Sequence, residues 1–307
     1  MLFKNKLTVA AALATPIFSL AFFLFTVPAS ADPLVYIVNG AQFGTMDVNT
    51  GAYSLFGPGL PQGAEGLVTG PNGSLLTLTF SGNLDSINPA TGVPTIIGPT
   101  GLADCSMPSS PCGPTSANDL GEVGGQIYAT DFANNLYKIN PATGHATLVG
   151  PTGMPGLTFI PLSANPDGTF NAYDESLFSV GGNLYATFDT IKVNSSTFAV
   201  TAVISPDLYQ INPLTGQATV IAPTTVGLGA VANVNGTLYA FGGPDTYQVL
   251  TLNLTNGNTT VVTNFGPAAG IIGGAAAVPE PASFALVGIG VAALLVARRR
   301  RLQGQLR

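Results

Sequence analysis

LYKINPATGHATLVGPTG, residues 136–153, occurs nearly three times in this chain. LDSINPATGVPTIIGPTG begins at Leu84 and LYQINPLTGQATVIAPT at Leu208, so the phrase is a structural unit. Each copy reads strand, turn, strand. Tyr137 and Ile139 alternate with Leu136 and Lys138, the chain turns through NPATG, and Ala146 and Leu148 then alternate with Thr147 and Val149. Asn140 can accept from the backbone ahead of it, Pro141 presets φ at the corner, and Gly144 supplies a positive φ where pairing resumes. Asn88 to Gly92 and Asn212 to Gly216 repeat the turn, and two degenerate copies, 47–51 and 253–257, bring the hairpins to five.

A second shared phrase lies between the hairpins: a strand of small residues, a Gly/Asn turn, then a strand of type LYAT. It begins at Gly66, Asp119, Ser176 and Ala230. Each period therefore holds four strands, and the turn glycines Gly51, Gly92, Gly144, Gly216 and Gly257 lie 41, 52, 72 and 41 apart. Four strands in a period of about 40 residues are the signature of a β-propeller. The ends imply closure. PLVYIVNG, from Pro33, reads as a second strand lacking its first, and AAGIIGGAAAV, ending at Val278, reads as a first strand with nothing after it. Their pairing completes a fifth blade, which a β-sandwich or β-solenoid would not require. The expectation is an all-β propeller of five four-stranded blades. The long insertions, 154–173 and 190–206, leave room for a sixth.

The ends also carry addresses. Residues 1–31 read as a secretory signal peptide, with Lys4 and Lys6 ahead of an apolar stretch and Ala29-Ser30-Ala31 as the cleavage site. Pro16, Pro28 and the A-x-A ending favour cleavage over an uncleaved anchor helix. At the other end VPEPASFALVGIGVAALLVARRRR, residues 278–301, joins Pro279, Glu280 and Pro281 to a short apolar run and to Arg298, Arg299, Arg300 and Arg301. This segment resembles the PEP-CTERM sorting signal of exported bacterial proteins. The resemblance covers about the last thirty residues. It implies processing by exosortase, a membrane-embedded cysteine transpeptidase, and an association with exopolysaccharide and biofilm. The apolar run 282–297 is marginal for a membrane span, and the arginines would hold its end on the cytoplasmic side. A permanent tail anchor is the competing reading. The expected domains are 1–31, signal peptide; 32–278, propeller; and 279–307, sorting signal.

Without its signals the body keeps two basic residues, Lys138 and Lys192, against fourteen acidic ones, a formal charge of −12. Such a surface repels nucleic acid and anionic lipid. Cys105 and Cys112, in the Pro-rich stretch CSMPSSPC of an exported chain, are expected to form a local disulfide. Ten of the fourteen acids fall at the loops of one propeller face: Glu65, Asp104, Asp119, Asp167, Asp174 and Glu175 beside four-to-one loops, and Asp131, Asp189, Asp207 and Asp245 beside two-to-three loops. Solvated strand ends are the plain expectation for them. The sharper one is that Glu65, Asp119, Asp174 and Glu175, near the channel mouth, collect calcium through oxygen ligands, although no D-x-D-x-D-G loop is present.

His145, the only histidine, follows a turn glycine and is expected in solvent on the opposite face. A His-dependent triad or H-E-x-x-H zinc site is thereby disfavoured, and no G-x-S-x-G elbow, P-loop or dinucleotide fingerprint occurs. Asp119, Asp131, Asp174, Glu175 and Asp189 could supply a carboxylate pair for an extracellular carbohydrate hydrolase or lyase. The chain has no tryptophan to stack on a sugar. The sequence therefore favours a non-enzymatic, exported structural or binding protein.

Overall fold

The structure is a computed structural model and describes residues 33–102, 117–155, 167–194, 196, 200–242 and 246–279. The expected disulfide of Cys105 and Cys112, the signal peptide, and the sorting signal from Glu280 onward lie outside the described residues.

Among the described residues, twenty antiparallel strands form five four-stranded sheets. Blade 2 holds β4 (Ala64–Thr69), β5 (Leu75–Thr79), β6 (Asn83–Ile87) and β7 (Pro94–Pro99). Blade 3 holds β8 (Ala117–Val123), β9 (Gln126–Asp131), β10 (Asn135–Ile139) and β11 (Ala146–Pro151). Blade 4 holds β12 (Thr169–Val180), β13 (Asn183–Asn194), β14 (Val200–Ile211) and β15 (Ala218–Pro223). Blade 5 holds β16 (Leu228–Val234), β17 (Thr237–Gly242), β18 (Gln248–Leu252) and β19 (Thr259–Asn264). Blade 1 is assembled from both ends. Its inner strand β20 (Gly274–Ala277) pairs with β1 (Leu34–Val38), which continues through β2 (Phe43–Asp47) to β3 (Tyr53–Phe56). The half-blades join in the expected order.

No sixth blade is present among the described residues. Extra chain in blade 4 lengthens its first three strands to twelve residues each, within the same sheet. The added length continues the β12–β13 and β13–β14 ladders, while β15 pairs only with the Asp207–Ile211 end of β14.

The core lies between blades. Five clusters of buried side chains fill the five interfaces, such as Leu84, Leu120 and Ile127 between blades 2 and 3, and Phe241 and Val249 against Ile37 and Met46 between blades 5 and 1. Inner strands thus bury both faces, which explains their weak alternation. β4, β8, β12, β16 and β20 each touch the next around the axis. A cavity of about 240 Å³ remains there, walled by residues such as Val68, Gly121, Ala232 and Ala276.

The repeated turn has the expected chemistry in all five copies. The side-chain oxygen of its first residue accepts from the backbone N–H two residues on: Asp47 from Asn49, Asn88 from Ala90, Asn140 from Ala142, Asn212 from Leu214 and Asn253 from Thr255, at 2.8 to 2.9 Å. The turn also fastens each blade to the one before it. Gly144 has φ +80°, and a Cβ there would lie 2.3 Å from the Gly98 carbonyl oxygen of blade 2. Its four counterparts meet the outer strand of the preceding blade in the same way, ending with Gly51 of blade 1 on Asn264 of blade 5. Beside two of these contacts a hydrogen bond crosses the interface, from Ala146 N–H to Thr100 O and from Ala218 N–H to Thr152 O, at 2.9 and 2.8 Å. Those threonines are held by their own hydroxyls, which donate to the Gly82 and Asn134 carbonyls. The outer strands of blades 2 to 5 each carry a bulge, at Ile97, Val149, Ile221 and Val262, which breaks the regularity of an exposed edge.

Gly144→Ala should therefore cost about 3 kcal/mol or more, since the new methyl meets the Gly98 backbone across the interface as well as a positive φ. Gly124→Ala, also at positive φ but with open space around its Cβ, should cost only about 1–2 kcal/mol. Thermal denaturation of the two variants compares them; equal losses would mean that backbone strain alone is being measured.

Candidate functional site

The carboxylates expected at the channel mouth sit within strands. Glu65 is the second residue of β4, Asp119 the third of β8, and Asp174 and Glu175 lie mid-way along β12. Asp131 closes β9, and Asp189, inside β13, is the register partner of Asp174. Burial corrects the plain expectation of a solvated ring. Asp119 is 3% exposed, Glu175 5%, and Asp131 and Asp189 not at all.

Their hydrogen bonds give the reason. Asp119 Oδ1 accepts from the N–H of Leu120, and its Oδ2 accepts from the N–H of Leu177 in the next blade, both at 2.6 Å. Asp189 Oδ2 does the same for Leu228, 2.7 Å away in blade 5. Each carboxylate satisfies a buried N–H at the inner edge of the following blade, which no neighbouring strand can reach. Asn118 donates to Glu175 Oε2 at 2.5 Å, again across blades 3 and 4. The fit is close enough that a Cβ on Gly66 of blade 2 would lie 2.3 Å from Asp119 Oδ1. Burial pushes the Asp119 carboxyl well above the usual carboxylate range. The Leu177 and Leu120 N–H groups oppose that rise, and the Glu175 and Glu65 charges add to it.

Asp131 serves its own blade. Oδ1 accepts from Asn135 N–H, and Oδ2 accepts from the Asn135 amide at 3.0 Å and the Tyr137 hydroxyl at 2.9 Å. Burial, then the Asp131 charge and hydrogen bond, push the Tyr137 phenol up to about 12. Tyr209, at the same place in the repeated phrase, donates to Asp207 at 3.4 Å and is also pushed up to about 12, by burial first.

Glu65, Asp119 and Glu175 are thus near enough to feel one another, whereas the side chain of Asp174 lies outside the described part of the structure. Among the described residues no group of three or more His, Cys, Asp or Glu side chains is placed to hold a metal ion. The calcium expectation on Glu65, Asp119, Asp174 and Glu175 includes Asp174, whose side chain is not among those residues. Asp167 also departs from an unpaired loop acid. It pairs with Lys192 of β13 and accepts from the Thr169 hydroxyl, and these partners lower its carboxyl to about 2, Lys192 first. Asp104 and Asp245 lie outside the described residues. His145 is exposed, as its turn position implies.

One carboxyl with no place among the mouth acids is Asp85 of β6, 5% exposed, whose Oδ1 is buried without a hydrogen-bond partner. The signal for it stands in the repeat itself, where LDSINPATG departs from LYKINPATG and LYQINPLTG. Near it a cavity of about 190 Å³ opens beside Leu60, Thr79 and Ile96.

The C-terminal end supplies the functional address. β20 ends at Ala277, and Val278 N–H donates to Leu34 O at 3.2 Å, so the ring closes immediately before Pro279. Among the described residues no helix is long and apolar enough to cross a membrane; the run 282–297 lies outside them.

No curated protein matches the sequence at a significant level. Among solved structures, the chain is similar to a protein of unknown function from Bacteroides thetaiotaomicron, at 16% identity and a TM-score of 0.43 over 76% of this chain and 58% of that one. It is also similar to the PQQ-bound aldose sugar dehydrogenase of Streptomyces coelicolor, at 15% identity and 0.38 over 73% and 65%. A third is the glutaminyl cyclase of Myxococcus xanthus, at 14% and 0.33 over 79% and 75%. The chain spans less than two thirds of the length of the first two.

Asp119→Ala should strand two buried N–H groups on different blades and cost about 2–5 kcal/mol, read as a fall in Tm; an unchanged Tm would return Asp119 to the candidate catalytic acids. The tyrosines give a pH test. Their folded pKa values exceed the ordinary 10.0, so the unfolded state loses these protons first and stability falls as pH rises from about 10 to about 12. Tyr137→Phe should remove part of that slope in alkaline denaturation. Residues 277–301 match the PEP-CTERM protein-sorting motif, so this chain is a five-bladed β-propeller carrying the C-terminal signal of exported, exosortase-processed, surface-associated proteins.

Proposed function

We propose that the protein is a non-enzymatic ring, delivered to the cell surface or extracellular matrix, that binds or organises exopolysaccharide. The observation that carries this reading is the junction between fold and signal. The motif match starts at residue 277, the last residue of β20, and the closing bond at Val278 lies just ahead of Pro279. Cleavage near Pro279-Glu280-Pro281 would leave all twenty strands in the released body. Before cleavage, the run 282–297 would hold the precursor in the membrane, with Arg298 to Arg301 on the cytoplasmic side.

The mouth carboxylates support a binding or structural role over a hydrolytic one. Asp119 and Asp189 accept backbone N–H bonds between blades, and Asp131 ties down Asn135 and Tyr137. A glycosidase needs one carboxyl free to protonate the leaving group and another facing the sugar. Carboxylates locked to buried amides are poorly suited to either task. The outer turns offer side-chain amides and hydroxyls instead. A groove of about 620 Å³ under blade 5 is lined by Asn253, Asn256, Asn258, Thr251 and Thr260, groups suited to hydrogen-bonding the hydroxyls of a polysaccharide.

The test is expression in a host carrying exosortase, with intact-mass analysis of each fraction and co-sedimentation with the host's exopolysaccharide. Expected is a body running from about residue 32 to about 281 in the extracellular fraction, sedimenting with polysaccharide. Replacing Arg298 to Arg301 with Gln should leave an uncleaved precursor. A membrane-bound chain retaining Arg307, or polysaccharide turnover abolished by Asp119→Asn, would overturn the reading.

A further inference from the structure

The repeated phrase places a tyrosine at one register position of strand three in blades 3 and 4. Tyr137 and Tyr209 each follow the buried leucine of that strand and donate to a carboxylate, Asp131 on strand two or Asp207 within strand three. In blade 2 the same position is Asp85, and the position of Asp131 is taken by Thr79. Both the ring and its acceptor are therefore replaced. A short carboxyl stands where a large aromatic would fill space, and the Thr79 hydroxyl is engaged with Ser81 and Asn83.

The result is a cavity of about 190 Å³ between the blade 2 sheet and the loop arriving from blade 1. Leu60, Ala64, Pro94 and Ile96 form its apolar walls, and Ile96, 56% exposed, stands at its solvent edge. Thr77 gives no help to Asp85, because its hydroxyl donates to Gly66 O at 2.7 Å. Asp85 Oδ1 is buried and has no hydrogen-bond partner.

A buried carboxyl without a partner is costly and is ordinarily met by a cation or a donor. Among the described residues no side chain supplies the cation. Of the body's two basic residues, Lys192 is paired with Asp167, and Lys138 belongs to β10 of another blade. A divalent metal would want several oxygen ligands, and the other side-chain oxygens lining the pocket are already engaged, Gln62 Oε1 with Ser81 and Asn83, Thr77 with the Gly66 carbonyl and Thr79 with Ser81 and Asn83. The volume is below the roughly 300–1,000 Å³ of sites for drug-sized ligands, so the guest is small or is the end of something larger.

We propose that this pocket is a binding site for a primary ammonium group on a short apolar stem, with Asp85 Oδ1 accepting from the ammonium and Leu60, Ala64, Pro94 and Ile96 enclosing the stem. The site lies on the flank of the ring between blades 1 and 2. It requires neither the mouth carboxylates nor exopolysaccharide binding, so it stands or falls apart from the function proposed above.

The test is titration of the exported protein with n-butylammonium chloride, followed by calorimetry and by NMR shifts of the Thr79 and Ile96 amides, with n-butanol as the neutral match. Expected is weak, saturable binding of the amine, with n-butanol at least tenfold weaker. Asp85→Asn should lower the affinity at least tenfold. Asp85→Tyr restores the residue of the repeat; it should fill the cavity, abolish binding and raise Tm by several degrees, which also guards against a variant that merely misfolds. No saturable shift in the native protein, equal binding of n-butanol, or undiminished binding by Asp85→Asn would each overturn the proposal.

Discussion

The ring depends on one contact made five times, a turn glycine pressed against the backbone of the preceding blade's outer strand. Backbone meets backbone there with no room for a methyl group, as at Gly144 over Gly98 and Gly216 over Gly150. The contact fixes both the distance and the angle between successive sheets, and the buried clusters between blades then fill whatever space that geometry leaves. A positive φ is needed at the same residue to return the chain into strand four. Glycine is thus required twice over, once for its conformation and once for its lack of a side chain. Closure follows because the fifth contact, Gly51 on Asn264, joins the last blade to the first.

Packing sheets around an axis creates a polar problem that the turns do not solve. The inner strand of each blade has an edge facing the channel, and some of its N–H groups have no strand to pair with. Asp119 and Asp189 meet this need across the 3–4 and 4–5 interfaces, and Thr77 and Thr187 meet the matching carbonyls of Gly66 and Leu228. These side chains are polar and yet belong to the core. Their charge is desolvated, but it is spent on amides that would otherwise be buried without acceptors.

The sequence made the repeat, the turn chemistry, the five blades and the closing half-blades legible, because each depends on local spacing and on residues such as Asn140 and Gly144 whose conformational roles are intrinsic. The acids were legible in position and illegible in role. A carboxylate at the end of a strand looks the same in sequence whether it faces water or the N–H of the next blade, and that partner, Leu177 for Asp119, lies 58 residues away. The insertion of blade 4 was opaque for a related reason. Added strand that extends an existing ladder carries the same alternation as a new blade, and only pairing tells them apart.

Repetition makes departures from the repeat readable as chemistry. Where five units solve the same packing problem, a residue that breaks the pattern without an internal compensation marks a place where something besides the fold constrains the chain. Most departures here are compensated: the Asp of the 47–51 turn caps as the asparagines do, and blade 5 places Leu250, buried in its own cluster, where blades 3 and 4 have tyrosine. Asp85 is different. It removes an aromatic ring, brings a charge into an interface that holds no cation to meet it, and leaves a cavity beside that charge. A protein selected for ring stability alone would be expected to carry tyrosine or leucine at that position, as blades 3, 4 and 5 do. The constraint on Asp85 is therefore best sought outside the chain.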